Sequence, residues 1–423
     1  MSVPSRDQDG SLHRAAIQPL LSRPAFRLLW VAAAASSFGD QCFAVALPWV
    51  VLQFSGSDAT LGRLLTAAAL PRASLLLVGG ALSDRIPPTR VLVFSSIARA
   101  LLVATVAGLV IAGLAELWQL YPIALVFVVL DALSGPAWIA VVPSIVGDEG
   151  LTAANGVVQS TTRVSALIAP APAGALISSR GLGAGFAVSA AATALAGVAF
   201  ALMPRSIERA PIRQSAATDP SAPESATPGS IMAVLRNCLR DPALRAFLVV
   251  IAVLSFATSG PLAVGIPSLA RIRFAGSVSL GVMLSASGAG TLVGAFLAGS
   301  RRRLRHRGIL LLAMNALIGV LIMLLAYAPT VAAAAVVLGL MACASTLVSV
   351  IATAALQAQT PHAILGRLMS IVMLASVGLS PASYFLAGLA SAVDPALLFG
   401  AAGALVIVVT GFAGFSPALR RID

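Results

Sequence analysis

The sequence predicts an all-α integral membrane protein with twelve transmembrane helices in two six-helix pseudo-symmetric bundles around a central cavity. Three observations predict it. Of 423 residues, 59% are hydrophobic and only 10% charged, with a mean hydropathy of +0.97; a soluble domain carries about 25% charged residues to cover its surface. Uninterrupted apolar runs recur at the length that crosses a bilayer, about 20 residues. These runs fall six before residue 205 and six after residue 243, on either side of a polar segment.

In order, the runs between charge or Pro/Gly punctuation are 26–52, 61–83, 91–113, 117–141, 152–178 and 183–203, then 246–268, 278–299, 308–328, 330–354, 366–391 and 395–416. The organisation expected is a cytoplasmic N-terminal segment (1–25), a six-helix bundle (26–204), a cytoplasmic linker (205–245), a second six-helix bundle (246–416) and a cytoplasmic tail (417–423). The linker opens "PRSIERAPIRQSAATDPSAPESATPGS", a Pro-, Ser- and Ala-rich composition suited to a flexible connection. The first run is a full span with no cleavage-site pattern before it, which reads as an uncleaved anchor rather than a signal peptide.

Charge sets the orientation. The net charge is +12, and all 27 basic residues other than His are Arg. With the N-terminus inside, 20 of the 27 fall in cytoplasmic segments, four (Arg63, Arg180, Arg271, Arg273) on the other side, and three (Arg72, Arg99, Arg163) within spans. That bias follows the positive-inside rule and predicts a multi-pass protein of the inner (plasma) membrane with both termini cytoplasmic. It also turns the "RRRLRHR" cluster at 301–307 into an anchor beside anionic lipid rather than a nucleic-acid patch. Cys42, Cys238 and Cys343 lack metal spacing, so no metal site is expected. His13, His306 and His362 fall in terminal or loop positions. With no Lys there is no phosphate-binding loop of the ATPase kind, and no nucleophile elbow appears, so neither an enzyme nor an ATP-driven pump is expected.

Two stretches, "LGRLLTAAALPRASLLLVGG" (61–80) and "LGVMLSASGAGTLVGAFLAG" (280–299), share an opening Leu-Gly and a closing Gly at equal separation. Together with six-plus-six spans they suggest the duplicated unit of transporters that rock two bundles about a central site. The stretch "GGALSDRIPPTR" (79–90) adds an electrostatic oddity. Asp84 ends the second span, where a helix dipole disfavours a carboxylate.

On these residues the chain resembles the major facilitator superfamily over about 25–416. Gly80, Asp84, Arg85 and Arg90 match the superfamily's loop motif between its second and third helices, with Pro87, Pro88 and Thr89 where Gly and basic residues are common. "FRLLWVAAAASSFGDQCFAVALPWVVLQFSGS", "LTAANGVVQSTTRVSALIAPAPAG" and "GRLMSIVMLASVGLSPASYFLAG" are similar to a proton-driven drug-efflux branch that includes macrolide and siderophore exporters. The fifth-helix antiporter motif is matched by Ser165, Ala169, Pro170, Ala173 and Gly174; only Pro170 and Gly174 retain the motif residue, but the substitutes are small enough to keep close helix approach. The resemblance implies alternating access. It also gives Asp84 a role as a gate latch, capping the eleventh helix near Arg367.

Ionisable groups at mid-bilayer cost at least ~2.5–3.5 kcal/mol each on insertion scales, so they are functional candidates. Five lie within spans: Asp40, Arg72, Arg99, Asp131 and Arg163. Asp40, Arg72, Asp131 and Arg163 count to about 17–21 Å from a span end at 1.5 Å per residue, with Arg99 shallower, on the cytoplasmic half. Asp131, five residues before Pro136, is the favoured proton carrier and Asp40 the second; Asp40 is expected to pair with Arg72 or Arg163. The competing reading is that Asp–Arg pairs merely lock the first bundle. Asn155, Gln159 and Arg163 recur every four residues on one helix face, lining either a cavity or an interhelical contact. Asn315 is a neutral polar candidate from the second half.

The function expected is secondary active export of a hydrophobic or amphipathic, antibiotic-like small molecule, as a monomer in contact with membrane lipids. It would draw on the proton gradient with no cofactor and bind no nucleic acid. A lipid or lysolipid flippase, another solute transporter on the same fold, and a non-transporting membrane sensor are the alternatives.

Overall fold

The computed structural model describes residue 20 and residues 22–83, 86–204, 242–274, 276–300, 307–359 and 362–414, with side chains described throughout these except at 72–83, 148–149, 242–243, 246, 300, 307, 358–359 and 362–367. Asp84 and Arg85 lie outside the described residues. Arg72, Gly80 and Arg367 are in helices but without described side chains.

The first half holds α1 (Pro24–Ser55), α2 (Asp58–Ser83), α3 (Pro88–Ile111), α4 (Leu117–Ile168), α5 (Pro170–Arg180) and α6 (Leu182–Ala201). The second half begins with α7 (Pro242–Gly260), a π-helical turn (Pro261–Gly265) and α8 (Ile266–Ile272). It continues with α9 (Ser277–Ser300), α10 (Arg307–Leu325), α11 (Val331–Gln359), α12 (His362–Val377), α13 (Ser380–Val393) and α14 (Pro395–Gly414). Among the described residues ten helical segments are long and apolar enough to cross a membrane. The second and fifth expected spans are taken by α2 and by the far limb of α4 with α5, which fall outside those ten.

Glycine and proline explain where the helices stop and break. Gly56, at φ 62°, closes α1 by returning its N–H to the Leu52 carbonyl at 3.0 Å, a left-handed cap that glycine adopts at little cost. Gly147, at φ 71° and ψ −179°, breaks α4 into two limbs that reverse direction. Pro170 has no N–H to continue the helix, so the fifth span divides into the end of α4 and α5.

In the first half α3 and α1 pack on α6; in the second, α9 packs on α11 and α10 on α14. The halves meet along two seams, α2 against α13 and α5 against α9. Both seams are made of small residues. A Cβ on Gly62 would lie 2.6 Å from the Tyr384 carbonyl oxygen and 2.7 Å from the Gly388 Cα. Gly174 likewise abuts the Ser277 backbone, and Gly281 the Pro170 carbonyl. Without a hydrophobic drive between helices in lipid, such close approach is what holds the bundles together. Phe94, Phe296 and Phe412 stand exposed on the periphery, the surface that acyl chains cover.

Candidate functional site

Three charged side chains meet where α1, α3 and α4 converge. Arg99 of α3 is only 4% exposed. Its Nη2 donates to Asp40 Oδ1 of α1, and its Nη1 stands 3.6 Å from Asp131 Oδ1 of α4. The guanidinium carbon lies 4.4 Å from the Phe127 ring centroid, and Phe127 stacks on Phe43 at 4.1 Å with 12° between planes. A cation over an aromatic face is attracted by the ring quadrupole, most strongly when water is absent. Arg99 Nε is buried with no partner among the described residues.

Local sequence explains why Asp40 reaches this point. On its neighbour Gly39 a Cβ would meet Thr193 Oγ1 at 2.7 Å and the Ser189 carbonyl at 3.0 Å. Glycine therefore lets α6 close on α1, and Ser189 Oγ donates to the Gly39 carbonyl at 2.7 Å. The Gly-Asp pair has two separable jobs, one of packing and one of charge.

The guanidinium is dry, but the two carboxylates are not: their side chains are 37% and 34% exposed, and both line a cavity of about 550 Å³. Ser36, Ser37, Asn155, Gln159 and Thr162 supply its hydrogen-bonding wall, and Trp138, Ile139, Val142 and Met373 its apolar wall. The cavity lies between Asp40 and the end of the bundle where α1 begins and Gly147 turns α4. Polar contacts hold α1 to the far limb of α4 beside it. Trp30 Nε1 donates to Thr161 Oγ1 at 2.8 Å, and the Ser37 and Thr162 hydroxyls lie 3.3 Å apart. Met373 of α12 is the second half's contribution to the lining.

Chemically, the cluster is two carboxylates sharing one guanidinium. Arg is cationic, so with both acids ionised these three side chains sum to one excess negative charge. One proton, on either acid, neutralises it.

Several expectations are redrawn. Asp40 pairs with Arg99 and not with Arg163, which is half-buried and forms no ion pair with either acid; the Arg72 side chain lies outside those described. Arg99 sits beside both acids rather than above them. Asn155 and Gln159 share the cavity wall, while Arg163, on the same helix face, is not part of it. Asn315 lies elsewhere, in a separate apolar pocket of about 40 Å³ between α7, α10 and α11. Ala169, Pro170 and Gly174 are buried against α9. There Ser285 Oγ accepts the Ala171 N–H at 3.0 Å and Ser277 Oγ donates to the Gly174 carbonyl at 2.8 Å. Arg90 is exposed in the first turn of α3. Phe127 was not singled out in the sequence, and one Phe among sixteen carries no signal there.

Residues 29–384 match the family model described as Major Facilitator Superfamily. Among curated proteins, the chain is 24% identical over 394 residues to "Enterobactin exporter EntS" of Citrobacter koseri, covering 92% of this chain and 91% of that protein. It is 25% identical over 352 residues to the protein of the same name from Salmonella typhimurium, covering 82% and 81%. Among solved structures, a bacterial homologue of the iron transporter ferroportin in its inward-facing state aligns with a TM-score of 0.68 at 16% identity, over 93% of this chain and 99% of that one. The nucleoside transporter NupG aligns with a TM-score of 0.71 at 11% identity, over 93% and 100%; at these identities the likeness concerns the fold.

Proposed function

The chain belongs to the major facilitator superfamily, and from that premise we propose that it is a proton-coupled exporter of amphipathic small molecules. The observation that carries the reading is the Asp40–Arg99–Asp131 cluster at the wall of the cavity. A membrane protein that needed only a static brace would gain little from it, since buried ion pairs are a poor source of stability. Export, rather than uptake, is favoured by the name of the relatives, "Enterobactin exporter EntS".

In the proposed cycle Asp131 carries the proton. Asp40 holds the direct hydrogen bond from Arg99, whereas Asp131 faces the guanidinium at 3.6 Å, outside hydrogen-bond range. Protonating Asp131 cancels the excess charge and leaves Arg99 committed to Asp40. Losing that proton restores the three-charge cluster and draws Arg99 back between the acids. Because α1, α3 and α4 each supply one member, this shift in pairing bears on how the three helices sit. Trp138, Val142 and Met373 take the apolar face of the substrate, while Asn155, Gln159 and Thr162 take its polar groups. Taking the basic segments as cytoplasmic, the cavity opens toward the cytoplasm and α2 and α13 close the far side. Asp84 and Arg367 would then form the opposing latch when the cytoplasmic side shuts.

The test is purified protein in vesicles with an imposed pH gradient, offered a panel of amphipathic compounds and fluorescent lipids. Accumulation of a compound that collapses with the gradient supports the proposal. Movement of lipids alone, or of nothing under any gradient, overturns it.

A further inference from the structure

At the opposite end of the molecule from the cavity, a second polar cluster joins the halves, and no part of the transport site uses it. Asp58, the first residue of α2, is 3% exposed. One of its oxygens accepts from Arg271 Nη2 of α8 at 3.2 Å; the other accepts from Ser391 Oγ of α13 at 2.6 Å and from Ser268 Oγ of α8. Arg271 also donates from Nη1 to the Leu52 carbonyl at the end of α1, at 3.3 Å. One carboxylate from the first half thus takes three donors from the second, and one guanidinium from the second half grips two helix ends of the first.

We infer that Asp58 and Arg271 form the lock of the second gate, holding the Asp58 end of the two halves shut while the cavity is reached from the other end. The inference rests on the alternating-access reading for its meaning, but the geometry stands without it. Three features suit the cluster to a reversible contact rather than a permanent weld. Asp58 lies in the first turn of its helix and Arg271 in the last turn of its own, positions where each helix dipole favours that charge. Neither charge is stranded when the pair separates, because both sit at helix ends beside the turns at 56–57 and 273–274, where water replaces the lost partner.

The seam beneath the lock is smooth. Gly62 and Gly388 bring α2 and α13 into backbone contact, with a Cβ on Gly388 2.9 Å from the Gly62 Cα, so the surfaces part without interdigitated side chains. Below that, Thr66 Oγ1 donates to the Pro381 carbonyl at 3.0 Å. Finally, Arg271 and Ser268 ride beyond the π turn at Pro261–Gly265, a local widening of the sort that often marks functional sites. Ser383 of α13 is inserted at that widening, accepting the Gly260 N–H at 2.8 Å and donating to the Phe256 carbonyl. The lock-bearing segment α8 therefore moves with α13 as one body.

The experiment uses the full chain with Cys42, Cys238 and Cys343 replaced by Ala and reconstituted in lipid. Spin labels at Arg63 and Val393, both exposed and on opposite halves near the lock, report that end; labels at Arg27 and Val249 report the other. Asp58→Asn and Arg271→Gln are each expected to raise the population separated at the Arg63/Val393 end by about tenfold, which corresponds to about 1.4 kcal/mol. The Arg27/Val249 distances should shorten in step. Arg271→Lys keeps the charge and should recover part of the parental distribution, a rescue that a purely structural defect would not give. Distributions unchanged in both variants, or broadened equally at both ends, overturn the lock. Because no substrate or pH gradient enters the measurement, a failed transport assay leaves this result standing, and the converse also holds.

Discussion

Replacing Arg99 by Gln exposes what the guanidinium does. Arg99→Gln removes a charge that is 4% exposed while leaving the two carboxylates it served. Stripping one partner from a buried ion pair costs ~3–5 kcal/mol, but these acids are 37% and 34% exposed to the cavity, and water there screens the loss, leaving about 2 kcal/mol. The lost contact with Phe127 adds about 1 kcal/mol. The variant is thus expected to be about 3 kcal/mol less stable, lowering its midpoint for thermal loss of the monodisperse peak in detergent. A second substitution discriminates the cause. If unpaired carboxylates are the problem, Asp40→Asn in the Arg99→Gln background removes one of them and should return at least 1 kcal/mol, within the coupling range of contacting residues. Unchanged stability of Arg99→Gln, or an Asp40→Asn loss that simply adds to it, would refute the charge-sharing argument.

Asp131→Asn should express normally and still exchange substrate between equal pools, yet lose accumulation driven by a pH gradient; counterflow and uphill uptake in the same vesicles separate the two. Asn155→Ala and Gln159→Ala each remove one hydrogen bond of about 1 kcal/mol. Each should raise the half-saturating substrate concentration about fivefold with little change in maximal rate, measured by initial transport rates. Gly39→Val forces a branched side chain into the space occupied by Thr193 Oγ1 and the Ser189 carbonyl, a cost of about 1–3 kcal/mol for overpacking, visible as a lower thermal midpoint.

Much of the architecture was legible because lipid makes simple demands. A run must be apolar for about 20 residues, and such runs mark most of the spans directly. What escaped were two interruptions: the π turn at Pro261–Gly265 and the break between α12 and α13. The π turn depends on a partner from a neighbouring helix, Ser383 of α13, which accepts the Gly260 N–H. The in-span charges were legible as a set, since their insertion cost singles them out.

Their pairing was not. Depth counted from residue 91 leaves Arg99 shallow, but α3 starts at Pro88, which puts Arg99 eleven residues in, about 17 Å at 1.5 Å per residue. Its long side chain then reaches Asp40 and Asp131 together. Asn315 shows the converse limit. A polar residue in an apolar helix signals an unusual environment, yet nothing along one chain says whether that environment is the shared cavity or a pocket within one half. Asp58 was overlooked for a related reason. At a helix start it looks like an ordinary dipole-favoured acid, and its partners lie 210 to 333 residues away.

The most direct test of the central claim is to count protons. Parent protein in vesicles loaded with a pH-sensitive dye is given a transported compound on one side, and proton movement is recorded beside compound movement. An opposite proton flux in fixed ratio to the compound is expected, abolished by Asp131→Asn and insensitive to replacement of Asn315. Compound movement with no accompanying proton flux, or the same flux in Asp131→Asn, would contradict it.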